Sequence, residues 1–369
     1  MRVSLLFSLL LFCFFSNAQF ITDKADSSQL TIAGYLQPQY QVASKEGVRN
    51  YSGGDFNQHS DNRFMLRRSC IKFDFLKKNY DHAPSLQLVF QVDATEKGVY
   101  ARDMWLKYFE NKYHLFSLTA GIFSRLFGNE VTFSSAKRES PERGRMSQIL
   151  MKTERAMGAM ISFEPQGKDH PLRYFKVDAG LFNGQGLTAP GDYDSHKYFT
   201  VDSSNANLGK IAPRKYYSVD AQIKIKGKTG FTQLRGEFIK GKQTALANNS
   251  ATPLALPTIH QNFYIRNFQG GYFYFLQNVI NVKNQIVVKY DWYDPNISVS
   301  AYDVGKTASY LTEADIKYTT VGFGFIRYLN KNAKIVFWYD RVWNEKTRLP
   351  VYAHDISDNI FTCRLQIRF

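Results

Sequence analysis

The residues best suited to chemistry are cationic, and they cluster in one segment. The run Lys137-Arg138-Glu139-Ser140-Pro141-Glu142-Arg143-Gly144-Arg145 carries four basic side chains against two carboxylates, and Arg125 precedes it. A cluster of one sign raises the local concentration of oppositely charged solutes. We therefore predict that this segment contacts small anions. The residues expected to do so are Arg125, Lys137, Arg138, Arg143 and Arg145.

The motifs of common enzymes are missing. The chain has no Gly-x-Ser-x-Gly elbow, no phosphate-binding loop, no Gly-x-Gly-x-x-Gly and no His-Glu-x-x-His, which are the patterns that position nucleophiles, nucleotides and catalytic zinc. Its seven histidines are scattered. We predict no enzymatic activity, no metal and no cofactor.

Composition excludes several classes of protein. The chain has 369 residues, a net charge of +15 and 15% aromatic residues. That aromatic content argues against disorder. Beyond residue 20 no run of about 18 apolar residues occurs, so the chain is not a helical membrane protein. The charge suggests nucleic acid as a partner, but the N-terminus argues against it.

The N-terminus has the features of a secretory signal peptide. Arg2 precedes an apolar run from Leu5 to Phe15, and small residues follow at Ser16-Asn17-Ala18. This arrangement is typical of a cleaved export signal. We predict a signal peptide at 1–18 and a single mature domain at 19–369, with no nucleic-acid partner.

The dominant period in the mature chain is two. Ser85–Asp93, Ser218–Lys226 and Phe361–Phe369 alternate between apolar and polar residues, which is typical of strands with one apolar face. We predict an all-β chain with about 14 strands, most of them 10–15 residues long. They are 30–42, 63–77, 85–95, 99–111, 114–123, 153–164, 172–183, 215–227, 231–241, 262–276, 284–294, 317–329, 333–344 and 358–369.

The connections alternate between short turns and long loops. This sorting, with strands long enough to cross a bilayer, is typical of outer-membrane barrels. We predict a transmembrane, antiparallel, up-and-down β-barrel of about 14–16 strands in the bacterial outer membrane. The alternative for the basic third loop, Ser124 to Lys152, is a solvated segment that packs on lipopolysaccharide phosphates or on nothing.

Alternation also assigns side chains to the two faces of the barrel, because a Lys or Arg in lipid costs about 2–4 kcal/mol. Arg68, Lys72 and Lys107 are therefore expected to face the lumen. Cys70 is expected to face inward and Cys363 outward, which excludes a disulfide between them. Aromatic girdles at the rims are predicted from Tyr35, Tyr40, Tyr108, Phe109, Tyr216, Tyr217, Tyr290, Trp292, Tyr293, Trp338 and Tyr339.

The order and spacing of several segments resemble the phosphate-selective porins O and P, in a form like those of Bacteroidetes. Two departures are Cys70, where the family has a third Arg, and Lys72, near a family Gly. The matching pieces are Asn62–Arg68, Asp103–Tyr108, Gly121–Phe123 with Phe127-Gly128 and Glu130, Glu142-Arg143, Gly180–Gly184 and Lys289–Asn296.

The resemblance implies a function. It implies a water-filled porin for passive diffusion of small anions, with phosphate or polyphosphate as candidates, narrowed by an inward-folded third loop. It also implies a homotrimer and 16 strands, so that a hairpin could lie in 184–214 or 242–261. The constriction would comprise Arg68, Lys72, Lys107, Arg125, Lys137, Arg138, Arg143 and Arg145.

Other partners follow from location and from the last strand. Outer-membrane lipid and lipopolysaccharide are expected around the barrel, and the terminal Phe369 is typical of a signal for the barrel assembly machinery. The competing hypothesis is a non-conducting barrel that serves as an adhesin or as a partner-binding or structural protein.

Overall fold

The structure, a computed structural model, describes residues 27–79, 82–96, 98–152, 154–166, 170–183, 214–251 and 264–369. The predicted signal peptide and most of the two intervals considered for an extra hairpin lie outside these residues. No helix in the described part of the chain is long and apolar enough to cross a membrane.

The described residues form fourteen strands and two short α-helices. The helices are α1, Asn129–Thr132, and α2, Arg145–Leu150. The strands are β1 Ser27–Ala43, β2 Asn62–Lys78, β3 Pro84–Thr95, β4 Gly98–Phe109, β5 Phe116–Ser124, β6 Arg155–Phe163, β7 Val177–Phe182, β8 Lys215–Gly227, β9 Gly230–Ala245, β10 Tyr264–Asn278, β11 Asn284–Asp294, β12 Tyr318–Tyr328, β13 Ala333–Asn344 and β14 Ile360–Arg368.

All fourteen predicted strands are present, with small differences at their ends. The largest difference is in β7, which begins at Val177 rather than at 172. Turns precede it, in which Arg173 N–H donates to the His170 carbonyl and Phe175 N–H to the Leu172 carbonyl. Backbone groups bonded within a turn are not available to a sheet partner.

The strands form one antiparallel sheet in which, among the described residues, all strands adjacent in sequence pair except β7 and β8. β1 also pairs with β14, and β7 and β8 are the sheet edges among the described residues. The segment between β5 and β6, residues 125–154, is called loop 3 below. Its side chains reach Tyr35 on β1, Asp220 on β8 and Arg235 on β9. The sheet therefore curls around loop 3 as an up-and-down β-barrel, as predicted.

The two faces of the strands differ in polarity as a membrane barrel requires. On β14, Thr362, Arg364 and Gln366 are 0%, 3% and 2% exposed, whereas Leu365 between them and Ile367 beyond them are 36% and 43% exposed. Polar side chains are thus buried inside and apolar ones lie outside, which inverts the arrangement of a water-soluble domain. This fold class is that of a transmembrane β-barrel.

The cysteines follow this alternation. Cys70 is buried and lines the barrel interior, whereas Cys363 is half-buried on a strand position that alternates with inward Thr362 and Arg364. Both thiols are free.

The prediction of aromatic girdles was wrong for part of its residues. Tyr35, Tyr216, Tyr293 and Trp338 lie inside the barrel, where they contact loop 3 or neighbouring strands. Phe109 is also buried, under the Lys107 ammonium. The sequence pattern does not distinguish an aromatic side chain at the membrane interface from one that packs against an inserted loop, because both positions have polar and apolar surroundings. The exposed members of the set are Tyr108, Tyr217, Tyr290 and Tyr339.

Two glycines on β12 make room for a buried indole. Gly324 lies directly opposite Trp338 on β13, and Gly322 lies opposite Asp340. A Cβ at either glycine would overlap the Trp338 ring. The indole Nε1–H donates to Asp340 at 2.6 Å. The small residues therefore serve to pack a neighbour across the strand pair.

Gly324→Val is expected to destabilise the barrel by about 1–3 kcal/mol, because added methyl groups overpack a filled site. The measurement is denaturant unfolding of the protein refolded into lipid vesicles. Phe323→Leu, on the lipid-facing side of the same strand, is the matched control. Equal midpoints for Gly324→Val and wild type would contradict the packing role.

Candidate functional site

Loop 3 lies inside the barrel and packs on one part of its wall. Val131, Met146 and Leu150 of the loop form a buried apolar cluster with Ile239 on β9 and Phe268 on β10. This apolar strip in an otherwise polar lumen fixes the position of the loop, because packing the loop against the strip removes apolar surface from water. The loop therefore occupies the side of the lumen formed by β9 to β14.

Glu142 fixes the middle of loop 3 to two strands. Its carboxylate accepts from Arg67 at 2.8 Å and from Arg68 at 2.7 Å on β2, and from Arg364 at 2.9 Å on β14. Burial raises the pKa of Glu142, but the three guanidinium groups outweigh it and hold the pKa well below its usual range. The carboxylate is therefore ionised at neutral pH and ties the loop to both strands.

Glu130 fixes the start of the loop in a similar way. Its carboxylate accepts from the Gly144 N–H at 2.9 Å, from Ser147 Oγ at 2.7 Å and from Lys289 Nζ at 3.2 Å. Tyr274 adds a hydrogen bond at 3.2 Å. These contacts join both helices of the loop to β10 and β11.

The space left by loop 3 forms two cavities. The inner cavity, about 700 Å³, is lined by residues of β1 to β6 and by Phe133 of the loop, and it reaches the short-turn end at Asn332 and Phe369. The outer cavity, about 650 Å³, lies among the long loops and is lined by residues such as Tyr51 and Asp358.

Glu154, the last residue of loop 3, lines both cavities. Its carboxylate pairs with Arg102 on β4 at 2.8 Å, with Arg143 of the loop and with Arg155 at the start of β6. Arg155 also pairs with Asp103 at 3.1 Å. Glu154 is therefore shared by both cavities, and three guanidinium groups surround its carboxylate; this position is called the junction below.

Two β-bulges orient Arg102 at this junction and the Arg67-Arg68 pair that binds Glu142. The pairing of β1 with β2 shifts between Leu36 and Pro38, which leaves Arg67 and Arg68 together opposite one residue. The pairing of β3 with β4 shifts at Gln91, which leaves Arg102 as the extra residue. A bulge turns adjacent side chains to the same face.

The bulges also explain why Arg67 and Arg102 were missed in the sequence; Arg155, where the pairing of β5 with β6 has no shift, was missed as well. Strict alternation places Arg67 on the lipid side because Arg68 faces inward, and it separates Arg102 from Asp103 in the same way. In the structure both members of each pair contact the interior. The available signal was the free-energy cost of an Arg side chain in lipid, which would have indicated a bulge at Arg67-Arg68 and another at Arg102-Asp103.

The structure brings most of the predicted contact residues to the lumen. Arg68 and Arg143 are buried in the carboxylate networks around Glu142 and Glu154. Lys72 and Lys107 line the inner cavity, where Lys72 pairs with Asp74 and Lys107 with Glu164, both at 2.7 Å.

The remaining four predicted residues occupy different positions on loop 3. Arg145 lines the outer cavity, with its guanidinium 3.5 Å from the Tyr318 ring centre and 3.2 Å from Asp358. Arg138 is buried within the loop, and Lys137 is exposed. Arg125 is half-buried beside Arg214 and lines neither cavity, and burial together with that like charge lowers its pKa to about 10.

Among the described residues, no group of three or more His, Cys, Asp or Glu side chains is arranged to hold a metal ion. Several carboxylates of the lumen, such as Glu142, Glu154 and Asp103, instead pair with Lys or Arg. The arrangement suits solutes that carry negative charge and bind guanidinium groups.

Comparisons with known proteins give structural likenesses at low identity. No protein-family model matches the chain, and no curated protein matches it. The chain is similar to the high-pH structure of Pseudomonas putida OprB, at 9% identity over 92% of this chain and 94% of that chain, with a TM-score of 0.46.

Two further solved structures are similar. Salmonella typhi OmpF in complex with daunomycin shares 10% identity over 92% of this chain and 97% of that chain, with a TM-score of 0.45. The outer membrane channel DcaP of Acinetobacter baumannii shares 10% identity over 93% and 98%, with a TM-score of 0.41. The barrel itself is defined by the strand order and the loop 3 contacts described above.

Glu142→Gln is expected to release loop 3, because it leaves Arg67, Arg68 and Arg364 without their counter-charge. Breaking a buried ion pair on one side costs about 3–5 kcal/mol. The measurement is trypsin cleavage at Lys137 and Arg138 in the refolded protein, which should become faster. Glu46→Gln, in the exposed first outer loop, is the control, and equal cleavage in both variants would contradict the role of Glu142.

Proposed function

We propose that the protein is an outer-membrane channel for the passive diffusion of small anions. The observation that supports this best is the position of Glu154, which lines both cavities and is surrounded by Arg102, Arg143 and Arg155. A solute that crosses the barrel from one cavity to the other must pass these groups.

The charge at this junction favours anions. Two carboxylates lie among three guanidinium groups, so the immediate surroundings have an excess of positive charge. Such rings attract anions and repel cations. The carboxylates are Glu154 and Asp103, and the cations are Arg102, Arg143 and Arg155.

The outer surface supports a membrane location. Large apolar side chains are exposed on strand after strand, as with Ile32, Phe90, Ile223 and Phe323. An apolar surface of that extent is unfavourable in water and is expected to contact lipid. Lipopolysaccharide would then surround the ends of the strands that carry the long loops.

Phosphate and polyphosphate fit the crowded guanidinium groups, since oxyanions bind Arg in a bidentate manner.

Assembly through Phe369 fits its position as an exposed terminal ring, with main-chain hydrogen bonds to Gly34. A homotrimer is proposed from the family resemblance alone.

The direct experiment on the proposed function is conductance in planar bilayers. The purified protein should give stepwise currents, and the reversal potential in a KCl gradient should indicate chloride preference. Folded protein that inserts but conducts nothing would contradict the channel and favour an adhesin or structural barrel.

Replacing Arg143 and Arg145 by Glu should shift the reversal potential toward cations, because two positive charges near the path become negative. The matched control is Lys45→Glu with Lys306→Glu, which makes the same charge change on exposed outer loops. Electrophoretic mobility before and after heating checks folding in both variants. An unchanged reversal potential in the folded Arg variant would remove these residues from the constriction.

A further inference from the structure

The junction between the cavities is occupied by a carboxylate of the protein itself, that of Glu154. The Glu154 side chain is 13% exposed, and its carboxylate contacts guanidinium groups from the wall and from loop 3. Arg102 and Arg155 approach from the wall, and Arg143 approaches from the loop. The carboxylate thus closes the gap between wall and loop at the point where the cavities meet.

The guanidinium groups have more donors than Glu154 can satisfy. Arg102 Nε and Arg143 Nη1 are buried and lack a hydrogen-bond partner among the described residues. Burial and the nearby Arg138 and Arg68 also lower the pKa of Arg143 well below its ordinary value. Unpaired buried donors cost free energy, which an additional acceptor would recover.

We propose that Glu154 is a specificity-determining residue that acts as an internal competitor for permeating anions. Its carboxylate occupies the position that a small carboxylate or other oxyanion takes during passage, so each anion must displace it. This inference rests on the proposed channel function. It adds that Glu154 closes the junction when no permeating anion is present. During passage, the anion replaces the Glu154 carboxylate as the hydrogen-bond acceptor of the same arginines.

The contacts of Glu154 favour an oxyanion as the displacing solute. Arg143 pairs with one carboxylate oxygen, and Arg102 and Arg155 pair with the other. A planar group with two oxygens therefore matches the donors as they are arranged. A monatomic anion such as chloride would satisfy fewer of them.

The test compares Glu154→Gln with wild type in planar bilayers, using KCl and potassium acetate. The amide keeps the size of the side chain and removes its charge. Single-channel conductance and anion-to-cation permeability should rise by roughly threefold or more, because one unit charge at a narrow path strongly changes local ion concentration. The rise should be larger in acetate than in chloride.

Asp355→Asn is the matched control. It removes the same charge from an ion pair with Arg341 on β13, and neither residue lines the inner or the outer cavity. Its currents should stay close to those of wild type. Equal effects of Glu154→Gln and Asp355→Asn would overturn the inference while leaving the channel intact. Absence of current in wild type would instead overturn the channel itself and this inference with it.

A second variant tests the inference if Glu154→Gln does not fold. Glu154→Gln combined with Arg143→Gln removes one negative and one positive charge, so no new uncompensated charge is buried. This variant should conduct more than wild type, with a similar reversal potential, because the pair between wall and loop is gone. Conductance equal to that of wild type would overturn the inference.

Discussion

The charged loop 3 can lie inside the barrel because each of its buried carboxylates meets several donors. Glu142 is bound by three guanidinium groups, and Glu130 by an ammonium group, two hydroxyls and a backbone N–H. Burying a charge without partners would cost several kcal/mol. With these partners, the loop is fixed on the β9–β14 side, and the free space remains beside β1 to β6. The position of the two cavities follows from that asymmetry.

The basic side chains inside the barrel have two different roles. Arg67, Arg68 and Arg364 hold Glu142, and their charge is partly used in positioning the loop. Arg102 and Arg143 instead face the junction at Glu154. A net charge of +15 therefore says little about selectivity by itself, because only the cations near the path act on a permeating ion.

Much of the fold could be predicted from the sequence, since the period of two and the loop lengths determine the strands and their order. The candidate site could be predicted only in part. Loop 3 was identified from its basic run, but Arg67 and Arg102 depend on bulges that alternation does not encode. Tyr293 and Trp338 were misassigned because an aromatic ring seated under a loop and one at a lipid interface have the same local pattern.

We propose that the water-filled path runs beside β1 to β6, where the inner cavity lies, and not beside β14. It can be measured with single cysteines in a Cys70→Ser, Cys363→Ser background. A charged thiol reagent should reduce the current of Gln91→Cys, which lines the inner cavity. It should leave Gln366→Cys unchanged, because Gln366 is buried against Ala136 of loop 3. A reduced current for Gln366→Cys but not for Gln91→Cys would contradict a path beside β1 to β6.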